Sequence, residues 1–195
     1  MIRFYTSLCK ALLEKFTDVA IFMEATDRFR HYNEKCPRCG AAGKLSPYGD
    51  YSRNLVSYKD GMLIESRISP RRFVCASCGV THALLPDILI PYSPYSLRFK
   101  FAILTAYFKK DTNVTVICEC FGIAVSTLYD WKKRLLEHKE LLLGVLVSRK
   151  DSALAFIQDM FGSNYLSDHL CNFFHRYAFS FMQHPSRTAT RSPPS

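Results

Sequence analysis

Two short cysteine motifs constrain this chain more than any other feature: Cys36-Pro-Arg-Cys39-Gly40 and Cys75-Ala-Ser-Cys78-Gly79. Each is C-x2-C followed by glycine. Two residues between thiols let both sulfurs face one point, and the glycine supplies the positive φ that such a turn wants. Two turns of this kind face to face place four sulfurs around one Zn²⁺ at about 2.3 Å, a closed tetrahedron whose role is structural. The alternatives are a redox C-x-x-C or unligated core cysteines. His82, four residues after Cys78, is either a replacement ligand or a packed, hydrogen-bonded strand histidine. Cys9, Cys118, Cys120 and Cys171 lack partners at ligand spacing and read as buried structural cysteines.

The 35 residues between the pairs exceed the ~15 to 20 of a common zinc motif, so their content has to explain the excess. They read as strands. Tyr51 to Tyr58 and Met62 to Ile68 flank Lys59-Asp60-Gly61, and Asp-Gly is a strong hairpin signal. Arg71 to Val74 leads into the second cysteine turn and Val80 to Leu84 leads out of it. A sheet this small buries little apolar surface, so metal binding supplies most of its folding free energy, and without zinc it melts. Four thiolates around Zn²⁺ carry net negative charge, and Arg38, Arg71 and Arg72 lie close by in sequence.

Charge points to the partner. The chain of 195 residues has 26 Lys+Arg against 17 Asp+Glu, a formal +9. Residues 1–34 and 151–195 are each balanced, and the whole excess falls in residues 35–150. A solubilising surface spreads such an excess, whereas a footprint for a polyanion concentrates it, which makes double-stranded DNA the leading partner. The length allows one ordinary domain or two small ones, which excludes a large multidomain enzyme. At 48% apolar and 22% charged, most of the chain should fold. No uncharged run approaches the ~18 apolar residues of a membrane span. Lys10, Glu14 and Lys15 interrupt what a secretory signal requires to be continuous. Paired cysteines then suit a metal in a reducing cytoplasm.

Pro86, Pro91 and Pro94 punctuate residues 86–94, which read as a stiff linker between modules. Beyond it, Ser93 and Ser96 are alternative starts for a helix reaching Lys110, with Phe99, Ala102, Ile103 and Ala106 at helical period. A second helix from about Asn113 to Phe121 buries Val114, Ile117, Cys118 and Phe121. Gly122-Ile123-Ala124 forms a short turn, and a third helix follows from Val125. These are the dimensions of a helix-turn-helix, whose second helix lies in the major groove. On the third helix, Leu128, Trp131 and Leu135 form the inward arc. Ser126, Asp130 and Lys133 form the opposite arc, flanked by Thr127 and Arg134. The functional reading assigns base contacts to Ser126, Thr127 and Asp130 and phosphate contacts to Lys132, Lys133 and Arg134, with Arg71 and Arg72 as further DNA-binding residues. The plainer one is the solvated face of any amphipathic helix.

The run from Phe121 through Ser126-Thr127-Leu128-Tyr129-Asp130-Trp131 to Arg134 resembles the helix-turn-helix of bacterial insertion-sequence transposases. The order of Cys-x-x-Cys ribbon, proline linker and helix-turn-helix is similar to the N-terminal region of such enzymes. It is also similar to short uncharacterised bacterial proteins that carry these modules without a nuclease, grouped as a domain of unknown function. The resemblance covers residues 36 to about 140 and implies DNA binding near the nucleoid. Asp130 stands where relatives often carry a cation, and there it suits acceptance from cytosine N4.

A transposase nuclease needs metal-binding carboxylates on a mixed α/β domain of well over a hundred residues, and residues 151–195 offer only Asp151, Asp159 and Asp168. They read as helices over about 150–161 and 164–182. No P-loop, nucleophile elbow or H-E-x-x-H helix occurs, which points to a non-enzyme. Phe173, Phe174, Tyr177, Phe179 and Phe181 either pack onto the helical domain or form a surface for a second copy or a protein partner. The expected architecture is α+β. A helical segment (1–34) precedes a four-cysteine zinc ribbon (35–85), the linker (86–94), a helix-turn-helix domain (95–145), C-terminal helices (146–184) and a disordered tail (185–195). The expected function is a zinc-stabilised DNA-binding protein, transposase-related or regulator-like. The alternatives are a protein adaptor or a transposase remnant.

Overall fold

A computed structural model describes residues 1–143 and 152–184; Asp151 and the tail expected over 185–195 lie outside the described residues. The fold is α+β, with the sheets formed from the N-terminal half and helices following. Strand β1 (Ile2–Phe4) leads into helices α1 (Lys10–Lys15) and α2 (Asp18–Arg28) and a 3-10 turn (His31–Asn33). Strands β2 (Leu45–Asp50), β3 (Arg53–Lys59), β4 (Met62–Ile68), β5 (Arg71–Cys75) and β6 (Thr81–Pro86) follow. The helices are then α3 (Leu97–Lys109), α4 (Val114–Phe121), α5 (Val125–Leu143), α6 (Ala153–Gly162) and α7 (Leu166–Tyr177). Among the described residues, no single helix is long and apolar enough to cross a membrane.

Helix boundaries follow local chemistry. Ser96, rather than Ser93, caps α3 by accepting from Phe99 N at 3.1 Å. Ser93 instead bonds to Tyr95 N in the preceding turn. Asn113 caps α4 through Val116 N at 2.9 Å, and Ser152 caps α6 through Ala155 N at 3.0 Å. Each cap satisfies a backbone donor that the helix itself leaves without a partner.

The sheets divide differently from the sequence reading. One sheet has the order β1-β6-β5-β2, with β1 parallel to β6 and the other pairs antiparallel. The β3–β4 hairpin, closed by the expected Asp60-Gly61 turn, stands apart from it. Ile2, Phe29, Cys36, Leu45, Phe73, Cys75 and Leu84 form a small core on the four-stranded sheet. Leu55 and Ile68 of the hairpin belong instead to the large helical core, with Phe99, Ile103, Leu128, Trp131 and Phe173. Val56 seals the attachment by donating to Pro94 O and accepting from Ser96 N, at 2.8 and 2.9 Å.

Three expectations are therefore corrected. Residues 35–85 do not form one unit, because the hairpin joins the helices. Residues 86–94, read as a stiff linker between modules, run largely through the interior, with Asp87, Ile88, Leu89 and Ile90 buried. The prolines stop regular structure, but the apolar run between them still seeks the core. The Asp87 carboxylate ties this segment to its neighbours, accepting from Thr6 N, Thr6 Oγ and Ser167 Oγ. Residues 1–34 are not purely helical, since β1 adds a strand beside β6. The aromatic C-terminal stretch packs inward, with Phe173 and Phe181 buried against Phe101 and His138.

Candidate functional site

The cysteine pairs meet. Backbone turns place them: Gly40 N–H donates to Cys36 O at 2.9 Å and Gly79 N–H to Cys75 O at 2.8 Å. Both glycines take positive φ, 73° and 68°, which L side chains adopt only with strain. Strand β5 ends at Cys75, and its ladder with β2 brings Cys75 opposite Leu45, just beyond the first turn. The four Sγ atoms all lie within 4.8 Å of one another. Cys36 to Cys78 and Cys39 to Cys75 are each 3.7 Å apart.

These distances fit a metal. Thiolates at about 2.3 Å from a tetrahedral ion sit roughly 3.8 Å from each other. The thiols also resist simultaneous ionisation without one. Burial raises the Cys75 thiol, but backbone donors at Cys78 and Ser77 and the neighbouring sulfurs bring it down to about 7. At Cys78 the Val80 backbone donor pulls down, while burial and the three other cysteines drive it up to about 11. A first thiolate thus opposes the next, and a divalent cation at the centre removes that opposition. Cys36 and Cys75 are buried, Cys78 is half-buried and Cys39 is exposed. A tetrahedral ion held here would have all four positions taken by protein sulfur, with none left for substrate.

His82 is not a fifth member of the cluster. It is buried on β6, facing inward with Leu84, and its Nε2 lies 3.3 Å from Cys36 Sγ. Cys118 is buried as expected, whereas Cys120 is exposed, so its reading as a core cysteine is corrected: α4 turns it outward, away from Ile117 and Cys118. Cys9 and Cys171 are intermediate.

The second group of expected residues lies on α5. The chain bends by 101° between α4 and α5 across Gly122-Ile123-Ala124. Leu128, Trp131 and Leu135 are buried; Ser126, Asp130 and Lys133 are exposed and Thr127 is half-buried. Lys133 is 3.9 Å from Glu137. Lys132 is half-buried, donating to Tyr107 Oη at 2.9 Å and lying over the Tyr107 and Tyr129 rings. Arg134 corrects the expectation, being 7% exposed and bonded to the Asp130 carboxylate four residues earlier. Burial pulls its guanidinium below the usual range, with Asp130 and Glu137 opposing. It therefore lacks the exposure to meet phosphate, and Asp130 is partly engaged as an acceptor. Arg71 is exposed, 3.8 Å from Asp27, and Arg72 lies over the Tyr48 ring.

A buried polar cluster behind α5 was not foreseen. Lys100 on α3 is 2% exposed, with Nζ 5.0 Å above the Trp131 ring and donating to Met182 O at 3.3 Å. Burial lowers it to about 7, with Arg134 and Arg53 adding and Asp130 opposing. His138 on α5 accepts from Met182 N through Nδ1 at 2.9 Å. Burial, then Arg134 and Lys100, lower it to about 4. A signal existed: Lys100 sits three and four residues before Ile103 and Leu104, on the inward face.

Fold and cluster together define a class, an α+β chain with four cysteines converging where a metal ion fits. Within that class the family is specific. Residues 36–138 match a domain of unknown function (DUF6431), and the chain belongs to that family. The match begins at Cys36 and ends at His138, so it spans the cysteine cluster, α3, α4 and most of α5. No curated protein and no solved structure matches the chain.

Proposed function

We propose that the chain is a non-catalytic, double-stranded DNA-binding protein stabilised by one structural Zn²⁺ held by Cys36, Cys39, Cys75 and Cys78. The observation that carries the reading is the α4–α5 pair. Its short turn and 101° bend have the proportions of a helix-turn-helix, with α5 presenting Ser126, Asp130 and Lys133 outward at its N-terminal half. On this reading Ser126, Thr127 and Asp130 read base edges, Lys132 and Lys133 meet phosphate, and Arg71 and Arg72 extend the cationic footprint from β5. All-sulfur coordination favours zinc among abundant divalent ions. A charge excess confined to residues 35–150 supports the same reading.

The test is selection of duplexes from a random pool by the zinc-loaded protein, followed by a salt titration. With Arg134 withdrawn, about four phosphate contacts remain, so log K should fall against log salt with a slope of about −3 to −4. Lys133→Ala should weaken all sequences alike and reduce that slope by about 1. No enriched duplex, or an affinity indifferent to salt, rejects the reading.

One observation favours a protein adaptor instead. Val125, Tyr129 and Leu136 are 41%, 46% and 38% exposed and fall on one stripe of α5, beside the polar face. Tyr129→Ser would then abolish partner capture while Lys133→Ala would leave it intact. DNA binding gives the reverse order of effects.

A further inference from the structure

The metal reading leaves His82 unassigned, yet it is a buried polar side chain that touches a ligand sulfur. Its two ring nitrogens have different partners. Nδ1 lies 3.1 Å from the Met1 nitrogen, which β1 delivers by pairing Ile2 with Leu84, two residues beyond His82 on β6. Met1 N–H donates there, so Nδ1 accepts and the ring proton resides on Nε2. Nε2–H then faces Cys36 Sγ at 3.3 Å. Cys36 also receives Arg38 N–H at 3.4 Å. The cluster is thus asymmetric: Cys36 and Cys75 are buried, Cys75 beneath backbone donors and Cys36 beneath a backbone and a side-chain donor, whereas Cys39 is exposed.

We propose that His82 is an outer-sphere positioning residue of the metal centre, oriented by strand β1, whose Nε2–H bond to Cys36 protects that sulfur relative to the exposed Cys39. This rests on the metal-binding part of the reading above. A hydrogen bond to a metal-bound thiolate withdraws electron density from sulfur, lowering both its nucleophilicity and its tendency to leave the ion. Loss of a bound metal to a chelator would then begin at the exposed Cys39 rather than at Cys36. Iodoacetamide attacks in the same order, each sulfur forming a bond to the reagent's methylene carbon as iodide leaves.

The experiment uses the full chain, reduced and loaded with Co²⁺ or Zn²⁺, as wild type, His82→Phe and His82→Gln. Metal content comes first, because a wild-type chain without bound metal removes the underlying reading whatever His82 does. With one metal per chain, His82→Phe should move the sulfur-to-cobalt charge-transfer band to lower energy. It should also speed metal transfer to a chelator about 10- to 100-fold and advance Cys36 in the order of alkylation. His82→Gln retains an N–H donor and should restore all three towards wild type, which a purely packing role would not do. Identical band and transfer rate in His82→Phe overturn the proposal, as does a glutamine variant no different from phenylalanine. Should His82→Phe fail to fold or hold metal, the ¹¹³Cd-loaded wild type decides. A proton on Nε2 with scalar coupling to cadmium supports the proposal, and a proton on Nδ1 overturns it.

Discussion

The side chains that depart furthest from expectation are cations that turn inward. Arg134 lies between the polar arc of α5 and the buried cluster, where Lys100 and His138 also sit, and a helical wheel places it at an edge without saying which neighbour closes over it. The consequence is measurable in pH. Lys100 and His138 both hold lower pKa values in the fold than in the unfolded chain, about 7 against 10.5 and about 4 against 6.5. In each interval the unfolded chain binds more protons, so stability rises with pH from about 4 to 6.5 and again from about 7 to 10.5. The slope from each group is at most about 1.4 kcal/mol per pH unit, and less with solvent screening. Urea midpoints of the zinc-loaded protein at acidic, neutral and alkaline pH should show both rises. Lys100→Met should flatten the upper one and His138→Asn, which keeps an acceptor for Met182 N, the lower one. A Lys100→Met profile parallel to wild type above pH 7 would contradict the burial of the ammonium.

Elements are held by a few obligatory backbone conformations, one of them in the turn between α4 and α5. Gly122 takes φ +62, and a Cβ at that position would have nothing within 4 Å, so a side chain there meets strain rather than collision. Gly122→Ala should cost about 1–2 kcal/mol in denaturant unfolding. Gly162, at the end of α6 with open space and no positive φ, is the contrast: alanine there should be neutral or stabilise by up to about 1 kcal/mol. Equal effects at both positions would refute the conformational argument. The same local logic decides which elements could be read from sequence. Met62–Ile68 is β-rich, follows Asp60-Gly61 and forms a strand over those residues. Strand β2 escaped because Pro47 and Gly49 lie within Leu45–Asp50, and the ladder accommodates them with a bulge between those residues. Strand β1 escaped because three residues carry no alternation, and only parallel pairing with a partner some eighty residues away defines it. The cysteine cluster is legible because the spacing and the glycines are themselves the geometry, while His82's place depends on β1, which no local pattern announces.

At the scale of the molecule, the two cores predict how metal loss propagates. The expectation that everything from residue 35 to 85 melts without zinc has to be narrowed, because the hairpin buries Leu55 and Ile68 in the large core. The small core contains two of the four clustered cysteines, Cys36 and Cys75, among its seven buried residues, and its strands β1, β5 and β2 reach the rest of the fold through the ladders of β1 and β5 with β6. The large core contains no ligand cysteine. Chelation should therefore release β1, β2 and β5 with both cysteine turns, while β3, β4 and α3 to α7 stay folded. Hydrogen exchange should report it directly, with amides of residues 36–50 and 71–76 exchanging at least ~100-fold faster after metal removal and those of residues 53–68 nearly unchanged. Trp131, the single tryptophan of the chain, lies in the large core against Tyr95 and Phe99, so its fluorescence should hardly respond. A simultaneous loss of protection in the hairpin and the tryptophan environment would instead mean that both cores unfold as one cooperative unit. That outcome would give the metal a hold over the α4–α5 surface, whereas the two-core arrangement leaves α5 folded without it.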